Sequence, residues 1–341
     1  MKINKYNPDI APVRIHEQMI YTKLSVRLFN WVFTKLFKIF SIRFVLNLLR
    51  TLAIFLFNSS YQFYLINLNI FYLRVIIVLK NADSKGYFEI KEEWCKYLIE
   101  KNLDKREVKT AKLYIDLLRQ EAKENISSTK KSFSRNDVKT FYIYGPNSNQ
   151  LPSKDFSNQA TLILTKPAQF DISHFKKKYL MMNHFSSHKL TNYYVKTELA
   201  MYDEIFAFTN AVIKSNIIQT ISTDIGGNIA SDMGLTRILH FLSKNYPESN
   251  VVIDGFDLYL SKQSYSEKLL SYIDQSSTLR AEKAIAISLF EHDMVFNFLR
   301  IKLLLKSLNI IDSEILLKNL DQTSQLYLDS IINVRRFDLV K

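Results

Sequence analysis

A short apolar segment that runs directly into a glycine–proline turn constrains the fold of this chain most. Residues 141–149 (FYIYGPNSN) begin with four β-favouring residues and continue into Gly145, Pro146 and small polar side chains. This pattern is typical of a buried strand that ends in a tight turn facing a ligand. Gly145 allows close approach to the backbone, and Asn147 and Ser148 offer short hydrogen-bonding groups to a base, ribose or phosphate. An ordinary strand-to-loop turn is the alternative interpretation.

More short apolar segments follow along the chain, and helical patterns lie between them. The apolar segments are 160–164 (ATLIL), 179–182 (YLMM) and 251–253 (VVI), and the helical patterns are most evident at 193–215 and 231–242. Strands that alternate with helices indicate an α/β domain with a mainly parallel, Rossmann-like nucleotide-binding sheet flanked by helices. Such sheets bind ligands at the carboxyl ends of their strands, so the polar residues just past those ends are the candidate binding groups.

Three polar residues stand at such ends, and two more precede a predicted helix. Asn183 follows the third apolar segment, and Asp254 and Asp257 flank the end of the fourth. Asn228 and Ser231 lead into the helical pattern at 231–242. Ser231 is predicted to cap that helix, whose free amides suit a phosphate or a ribose hydroxyl; a purely structural cap is the alternative. The two aspartates would also suit a metal ion. The preferred interpretation is that they flank a strand end, and no metal is expected.

The chain preceding this region is predicted to be helical. Residues 88–100 and 105–121 form amphipathic patterns, and the polar, serine-rich stretch 125–137 has the composition of a linker. The sequence therefore predicts a helical region over 1–136 and a second domain over 137–341.

The first part of the helical region is basic and free of acidic residues. No Asp or Glu lies between Glu17 and Asp83, while Lys and Arg recur among aromatic and aliphatic residues. This composition favours helices that lie in a membrane interface, and a helical subdomain buried against the rest of the chain is the alternative. Residues 61–79 have the length of a membrane span, but they contain four residues that disfavour one: Gln62, Asn67, Asn69 and Arg74.

Charge and cysteine content narrow the class of partner and the compartment. The 341-residue chain has 46 Lys and Arg against 33 Asp and Glu, and the net charge of +13 favours an anionic partner. No RNA-binding signature is present, and the basic cluster is interleaved with aliphatic residues, so nucleic acid is not an expected partner. Cys95 is the single cysteine and forms no internal disulfide, which suits a reducing compartment.

Taken in order, these segments resemble the bacterial sialyltransferases that use CMP-sialic acid, and more distantly the animal sialyltransferases. The resemblance covers about residues 141–305. The family opens with a strand and a Gly-Asn-Gly-Pro-Ser type turn, to which FYIYGPNS is similar. The resemblance implies that Asn147 and Ser148 stand near the cytidine ribose and phosphate. It implies nucleotide contacts for Asn183, after the third strand, and for Ser231, at the helix start.

The most specific match is the segment 255–265 (GFDLYLSKQSY), which contains Asp257. In the family a strand ends in Gly-Ile-Asp-Phe-Tyr and a second Tyr follows six positions later, a spacing that Tyr259 and Tyr265 reproduce. The resemblance implies that these two hydroxyls hold the departing phosphate. It also implies that His292 is the catalytic base, because the family's histidine lies a few tens of residues further on. A lone histidine near a helix start is otherwise more often a surface or capping residue.

Two departures from the family pattern fall where the family binds its donor. Residues 166–170 read KPAQF in place of a Cys-Asn-Gln-Phe type segment, and Asp232 replaces the glycine of the helix-start motif. The donor sugar is therefore left open between sialic acid and the chemically similar ulosonate Kdo.

The resemblance implies an inverting transfer of an ulosonic acid from its CMP-activated donor to a hydroxyl of a bacterial surface glycan, such as lipo-oligosaccharide or capsule. No cofactor is expected, and residues 260–290 are predicted to form a lid over the donor. The expected partners are the CMP-sugar, a glycan or glycolipid acceptor and the anionic inner-membrane surface. The protein is expected to attach peripherally to the cytoplasmic side of that membrane. The alternative is a non-catalytic membrane-associated scaffold for polysaccharide assembly with a degenerate nucleotide-binding fold.

Overall fold

The structure of the chain is a computed structural model that describes residues 84–102, 105–122, 138–148, 159–165, 168, 171–182, 200–208, 218–221, 225, 233–261 and 292–335. The helices in these residues are α1 (Ser84–Lys101), α2 (Lys105–Glu121), α3 (Gly234–Asn245), α4 (Met294–Leu305), α5 (Glu314–Leu320) and α6 (Ser324–Arg335). The strands are β1 (Thr140–Tyr144), β2 (Ala160–Leu164), β3 (Lys177–Met182), β4 (Glu204–Phe208), β5 (Ile218–Ile221), β6 (Asn250–Asp254) and β7 (Asn309–Asp312).

The seven strands form one parallel sheet in the order β5-β4-β3-β2-β1-β6-β7. From β1 to β5 the chain adds strands in one direction, and it then returns to place β6 on the other side of β1. The strand order therefore reverses between β1 and β6. In open α/β sheets, this reversal opens a crevice at the carboxyl ends of the two strands. The predicted α/β class with a parallel sheet is confirmed.

Side chains alternate between the two faces of the sheet and build two hydrophobic cores. One core contains Phe141 and Ile143 of β1 and Val251 and Ile253 of β6, and each of the helices α1 to α6 contributes buried residues to it. The other core lies on the opposite face and contains Tyr142 with alternate residues of the neighbouring strands. Both faces of the central strands are thus buried, as the continuous apolar sequence of a parallel sheet requires.

The predicted strands at 141–144, 160–164, 179–182 and 251–253 are confirmed as β1, β2, β3 and β6. The helical pattern assigned to 193–215 is wrong over Glu204–Phe208, which forms β4 between β3 and β5. Four of the five residues of β4 are buried. A strand buried on both faces shows no alternation of polar and apolar residues, so its periodicity does not separate it from a buried helix.

The helix predicted at 231–242 begins and ends later, as α3 from Gly234 to Asn245. Its N-cap is Met233, which has no side-chain cap hydrogen bond. Ser231 is therefore not the N-cap of this helix. The amide of Met233 instead donates to Oδ1 of Asn297 at 2.7 Å. A side chain of α4 thus accepts a hydrogen bond at the start of α3, which is the role predicted for Ser231.

Helices α1 and α2 pack in the same hydrophobic core as the sheet. Tyr87 and Tyr114 are buried there, and the Tyr114 ring stacks on Phe296 of α4 with 5.4 Å between ring centroids. The predicted domain boundary between residues 136 and 137 thus divides residues that belong to one hydrophobic core. The helical patterns predicted at 88–100 and 105–121 are confirmed.

Within the described residues, no helix is long and apolar enough to cross a bilayer. The predicted interfacial helices and the segment 61–79 lie outside those residues, as does nearly all of the predicted lid at 260–290.

Candidate functional site

The crevice at the strand-order reversal is formed by the turn after β1 and the turn after β6. Two backbone hydrogen bonds join these turns: Gly145 N donates to Asp254 O at 2.8 Å, and Asn147 N donates to Gly255 O at 3.0 Å. The described parts of the two segments that the sequence singled out, 141–148 and 255–261, therefore meet at the edge of the sheet where α/β proteins of this topology bind ligands.

The two glycines are required for this close approach. A Cβ atom on Gly145 would lie 2.5 Å from the carbonyl oxygen of Gly255 and from the Phe256 ring. Gly255 has φ +71°, and a Cβ atom there would lie 2.3 Å from the backbone nitrogen of Ser148. No side chain larger than hydrogen fits at either position without moving the backbone of the opposite turn.

Asp254, the last residue of β6, accepts two hydroxyl hydrogen bonds across the crevice. Ser148 Oγ donates to its Oδ2 at 2.5 Å, and the Tyr142 hydroxyl donates to the same oxygen at 3.0 Å. The Tyr144 hydroxyl donates to the carbonyl of Ser148 at 2.9 Å. Ser148 is buried. Its hydroxyl therefore fixes the turn in this conformation, whereas the resemblance assigned it to the nucleotide.

The phenols of this network remain protonated at neutral pH. Burial, reinforced by the negative charge of Asp254, raises the pKa of Tyr144 to about 12 and raises the pKa of Tyr142 further. Both side chains therefore act as hydrogen-bond donors, Tyr142 to the Asp254 carboxylate and Tyr144 to the Ser148 carbonyl.

Asp257 organises the turn after β6. Its Oδ1 accepts from Tyr259 N at 3.0 Å, and its Oδ2 accepts from the amide of Ser261 at 3.2 Å and from the Ser261 hydroxyl. The Asp257 backbone carbonyl accepts from Asn319 Nδ2 at 2.8 Å. Asp257 is buried. It therefore shapes the loop that carries Tyr259, although the sequence grouped it with the donor-binding residues.

The same turn holds two bulky residues in the left-handed region, Leu258 at φ 52° and Tyr259 at φ 64°. This backbone is costly for side chains with a Cβ atom, by roughly 1–2 kcal/mol per residue. The turn is held by burial of Leu258 and by the Tyr327 hydroxyl, which donates to the Leu258 carbonyl at 3.0 Å. Strained backbone that the surrounding structure enforces is concentrated at functional sites, and the partly buried Tyr259 packs here against the first hydrophobic core.

His292 lies at the same edge of the sheet, next to the start of α4. A helix that joins two parallel strands runs antiparallel to them, so α3 and α4 begin at the carboxyl edge of the sheet. A hydrogen bond supports this placement for α3: Arg237 in its first turn donates to Phe208 O, at the carboxyl end of β4. The Tyr327 hydroxyl that holds Leu258 also lies 3.9 Å from the sulfur of Met294. One tyrosine thus contacts both the Tyr259 turn and the helix start that follows His292.

Four predicted site residues lie outside the described residues: Tyr265, Asn183, Asn228 and Ser231. The segment that carries Asn228 and Ser231 directly precedes α3. The start of α3 is joined to α4 by hydrogen bonds from Met233 N and from Thr236 Oγ1, the latter at 2.6 Å, to Asn297 Oδ1.

Sequence reasoning missed Tyr327 and Asn297 and interpreted Asp254 only as a strand-end acid or a metal ligand. Tyr327 and Asn297 lie within regular helical patterns, where nothing distinguishes them from other helix residues. The signal for Asp254 was its place as the first polar residue after VVI, because a residue that ends a central strand faces the crevice.

The carboxylates of Asp254 and Asp257 are both occupied by hydrogen-bond donors of the protein. No group of three or more His, Cys, Asp or Glu side chains that could hold a metal ion occurs among the residues that the structure describes.

Comparisons of the chain with protein-family models, with curated proteins and with solved structures found no match in any of the three.

Proposed function

We propose that this protein is a glycosyltransferase that moves an ulosonic acid, sialic acid or Kdo, from its CMP-activated donor to a hydroxyl of a bacterial surface glycan. The observation that carries the proposal is the meeting of two turns at the reversal of strand order. The Gly145–Ser148 turn and the loop that bears Tyr259 are hydrogen-bonded to each other, and the helix start next to His292 lies at the same sheet edge. The order of these segments is the order in which the chain resembles CMP-sugar-dependent transferases.

The proposed chemistry uses groups suited to a monophosphate leaving group. The acceptor hydroxyl attacks the anomeric carbon, the bond from that carbon to the phosphate oxygen breaks, and CMP departs with the bonding electrons. His292 takes the proton that the acceptor hydroxyl loses, since an imidazole titrates near neutrality. The hydroxyls of Tyr259 and Tyr265 donate hydrogen bonds to the phosphate as its charge develops. Attack from the opposite face of the sugar inverts the anomeric configuration.

The proposed donor site contains neutral hydrogen-bond donors together with one partly exposed carboxylate. The backbone N–H groups of Gly145, Asn147 and Ser148 donate within the two turns, so the donors proposed for the phosphate are the Tyr259 hydroxyl and the side-chain amide of Asn147. Asp254 is only half-buried, and its Oδ2 is held by Tyr142 and Ser148. A carboxylate repels a phosphate and accepts hydrogen bonds from hydroxyl groups. The ribose hydroxyls are therefore assigned to the Asp254 side of the crevice.

Release of CMP tests the proposal. The full-length protein is incubated separately with CMP-sialic acid and with CMP-Kdo, with and without candidate glycans, in buffer containing EDTA. The expected result is CMP release from one donor, stimulated by an acceptor and persisting in EDTA. Failure to release CMP from either donor, together with failure to bind CMP, would favour the scaffold alternative. Activity that is lost in EDTA and restored by magnesium or manganese would make Asp254 and Asp257 metal ligands.

A further inference from the structure

Two buried ion pairs attach helix α4 to the hairpin formed by α1 and α2. At the start of α4, Lys91 Nζ of α1 lies 2.5 Å from Asp293 Oδ2, with side chains 2% and 7% exposed. Toward its end, Lys302 Nζ lies 3.3 Å from Glu121 Oε1 of α2, with side chains 9% and 11% exposed. The first pair is adjacent to His292, and the second lies more than two helical turns away.

The pair next to His292 belongs to a larger buried network. Asp293 is the N-cap of α4, and its Oδ1 accepts from Phe296 N at 2.8 Å. The Tyr87 hydroxyl lies 3.0 Å from Oδ2 and 3.1 Å from Oδ1 of the same carboxylate, and 3.3 Å from the Tyr114 hydroxyl. Burial raises the pKa of Tyr87 and Tyr114 well above the ordinary value, so both remain phenols. Three kinds of donor, an amide, an ammonium group and a phenol, therefore fix one carboxylate.

The backbone of Asp293 is held as firmly as its side chain. The carbonyl of Asp293 accepts from Asn297 N at 3.0 Å and from Asn297 Nδ2 at 2.6 Å. Asn297 in turn accepts from the start of α3 through its Oδ1. The residue after His292 is thus anchored by α1 on one side and by α3 on the other.

An ordinary helix cap explains only part of this arrangement. A capping aspartate needs only one or two amide donors. Burying an ammonium group and a carboxylate together is commonly no more stabilising than an apolar pair of the same volume. The pair does, however, restrict Asp293 to one position relative to α1, because a buried charge that leaves its partner is strongly penalised.

We propose that Lys91 and Tyr87 are positioning residues for His292, and that the α1–α2 hairpin is a part of the catalytic assembly. This inference rests on the proposed function of His292 as the base. The two side chains act through Asp293 and touch neither substrate nor reacting atoms. By fixing Asp293, the N-cap of α4, they keep the His292 imidazole where it can accept a proton from the acceptor hydroxyl.

The test compares the lysines of the two ion pairs, Lys91 of α1 at the start of α4 and Lys302 of α4 near its end. Lys91→Met removes the cation next to His292, and Lys302→Met removes the cation at the other end. Each variant leaves a carboxylate that still accepts from a backbone amide, Phe296 N for Asp293 and Ser324 N for Glu121. The two changes are therefore matched in chemistry and in burial. Tyr87→Phe, which removes one hydroxyl and keeps the ring, is the milder variant if Lys91→Met does not fold.

The inference predicts a loss of kcat without a loss of nucleotide affinity. For Lys91→Met and Tyr87→Phe, we expect kcat for CMP release to fall on the order of tenfold to hundredfold, with CMP affinity within about twofold of wild type. For Lys302→Met, we expect kcat within about twofold of wild type at a temperature where all variants are folded. Equal kcat losses in Lys91→Met and Lys302→Met, or unchanged kcat in Tyr87→Phe, would overturn the inference.

A second readout separates this inference from the proposed function. The imidazole signals of His292, identified by their absence in His292→Ala, are recorded by NMR without any substrate. We expect them to move in Lys91→Met and Tyr87→Phe and to stay in place in Lys302→Met. If no CMP-sugar is turned over but the signals move as expected, the proposed function fails and the positioning of His292 stands. If CMP release is observed but the signals do not respond to Lys91→Met, the positioning inference fails alone.

Discussion

At the residue scale, the account assigns the proton transfer to His292. The residue stands directly before the N-cap Asp293, at the carboxyl edge of the sheet. Replacing it with alanine removes the base and leaves the crevice between β1 and β6 intact. We expect His292→Ala to lower kcat by two to four orders of magnitude, roughly the range for a general base, while CMP affinity is unchanged. CMP release within about threefold of the wild-type rate would show that His292 is not the base.

Tyr259 offers a second test at this scale. Tyr259→Phe removes one hydroxyl from the turn after β6 and keeps the ring, while the burial of Leu258 and the hydrogen bond from Tyr327 still hold the strained backbone there. We expect a loss of about 2–4 kcal/mol of transition-state stabilisation, and the same for Tyr265→Phe. Tyr246→Phe is the control, because Tyr246 follows α3 and therefore lies at the opposite edge of the sheet. Unaltered kinetics in both Tyr259→Phe and Tyr265→Phe would make their spacing a coincidence.

At the element scale, the site depends on two turns that touch through glycines. Gly255→Ala places a Cβ atom on a residue with φ +71°, 2.3 Å from Ser148 N, so the two turns must separate. We expect the free energy of unfolding in urea to fall by roughly 2–4 kcal/mol, with loss of CMP binding.

Gly234→Ala is the matched control for this substitution. Gly234 begins α3, and Gly255 is the one glycine with positive φ among the residues that the structure describes. An alanine at Gly234 should leave stability unchanged or raise it slightly. Equal stability of the Gly255→Ala and Gly234→Ala proteins would mean that the close contact of the two turns is not maintained in solution.

How much the sequence predicted can be understood element by element. Strands β1 and β6 were predictable because each is an apolar run that ends at a glycine or an acid, and they carry the centre of the site. Strands β4, β5 and β7 were missed. β4 is apolar on both faces, and β5 and β7 have only four residues each, too few to establish a period.

The buried network beside His292 was beyond sequence reasoning for a different reason. Tyr87 and Asp293 are 206 positions apart, and nothing in a helical pattern shows which of its polar residues will meet a distant partner. Lys91 and Asp293 are ordinary residues of amphipathic segments until the fold brings them together. Long-range pairing of charges is set by tertiary packing, and local propensity does not predict it.

At the scale of the whole molecule, the α1–α2 hairpin belongs with the sheet and the preceding residues with the proposed membrane attachment. A chain that begins at residue 84 keeps Tyr87, Cys95 and Tyr114 in the core, whereas a chain that begins at residue 137 loses them and exposes α4. We expect the first to fold with a single cooperative transition and the second to aggregate. A stable, monomeric protein that begins at residue 137 would contradict this assignment of the hairpin.

Membrane attachment is proposed for the basic stretch 18–82, which contains no acidic residue. The full-length protein should sediment with phosphatidylglycerol vesicles. The sedimenting fraction should fall at high salt but not reach zero, because both charge and apolar burial contribute to binding. The chain that begins at residue 84 should stay in the supernatant. Full-length protein that stays in the supernatant at low salt would favour the alternative, in which the helices predicted before residue 83 form an internal subdomain. Resistance to both salt and alkaline extraction would indicate that residues 61–79 span the bilayer.

The most direct test of the central claim is a crystal structure of the protein with CMP. The account predicts that the nucleotide lies at the carboxyl edge between β1 and β6, with its phosphate beside the Tyr259 hydroxyl and its ribose toward Asp254. His292 should face the side from which an acceptor approaches. CMP bound at another edge of the sheet, or no bound nucleotide in crystals grown at saturating CMP, would contradict the account.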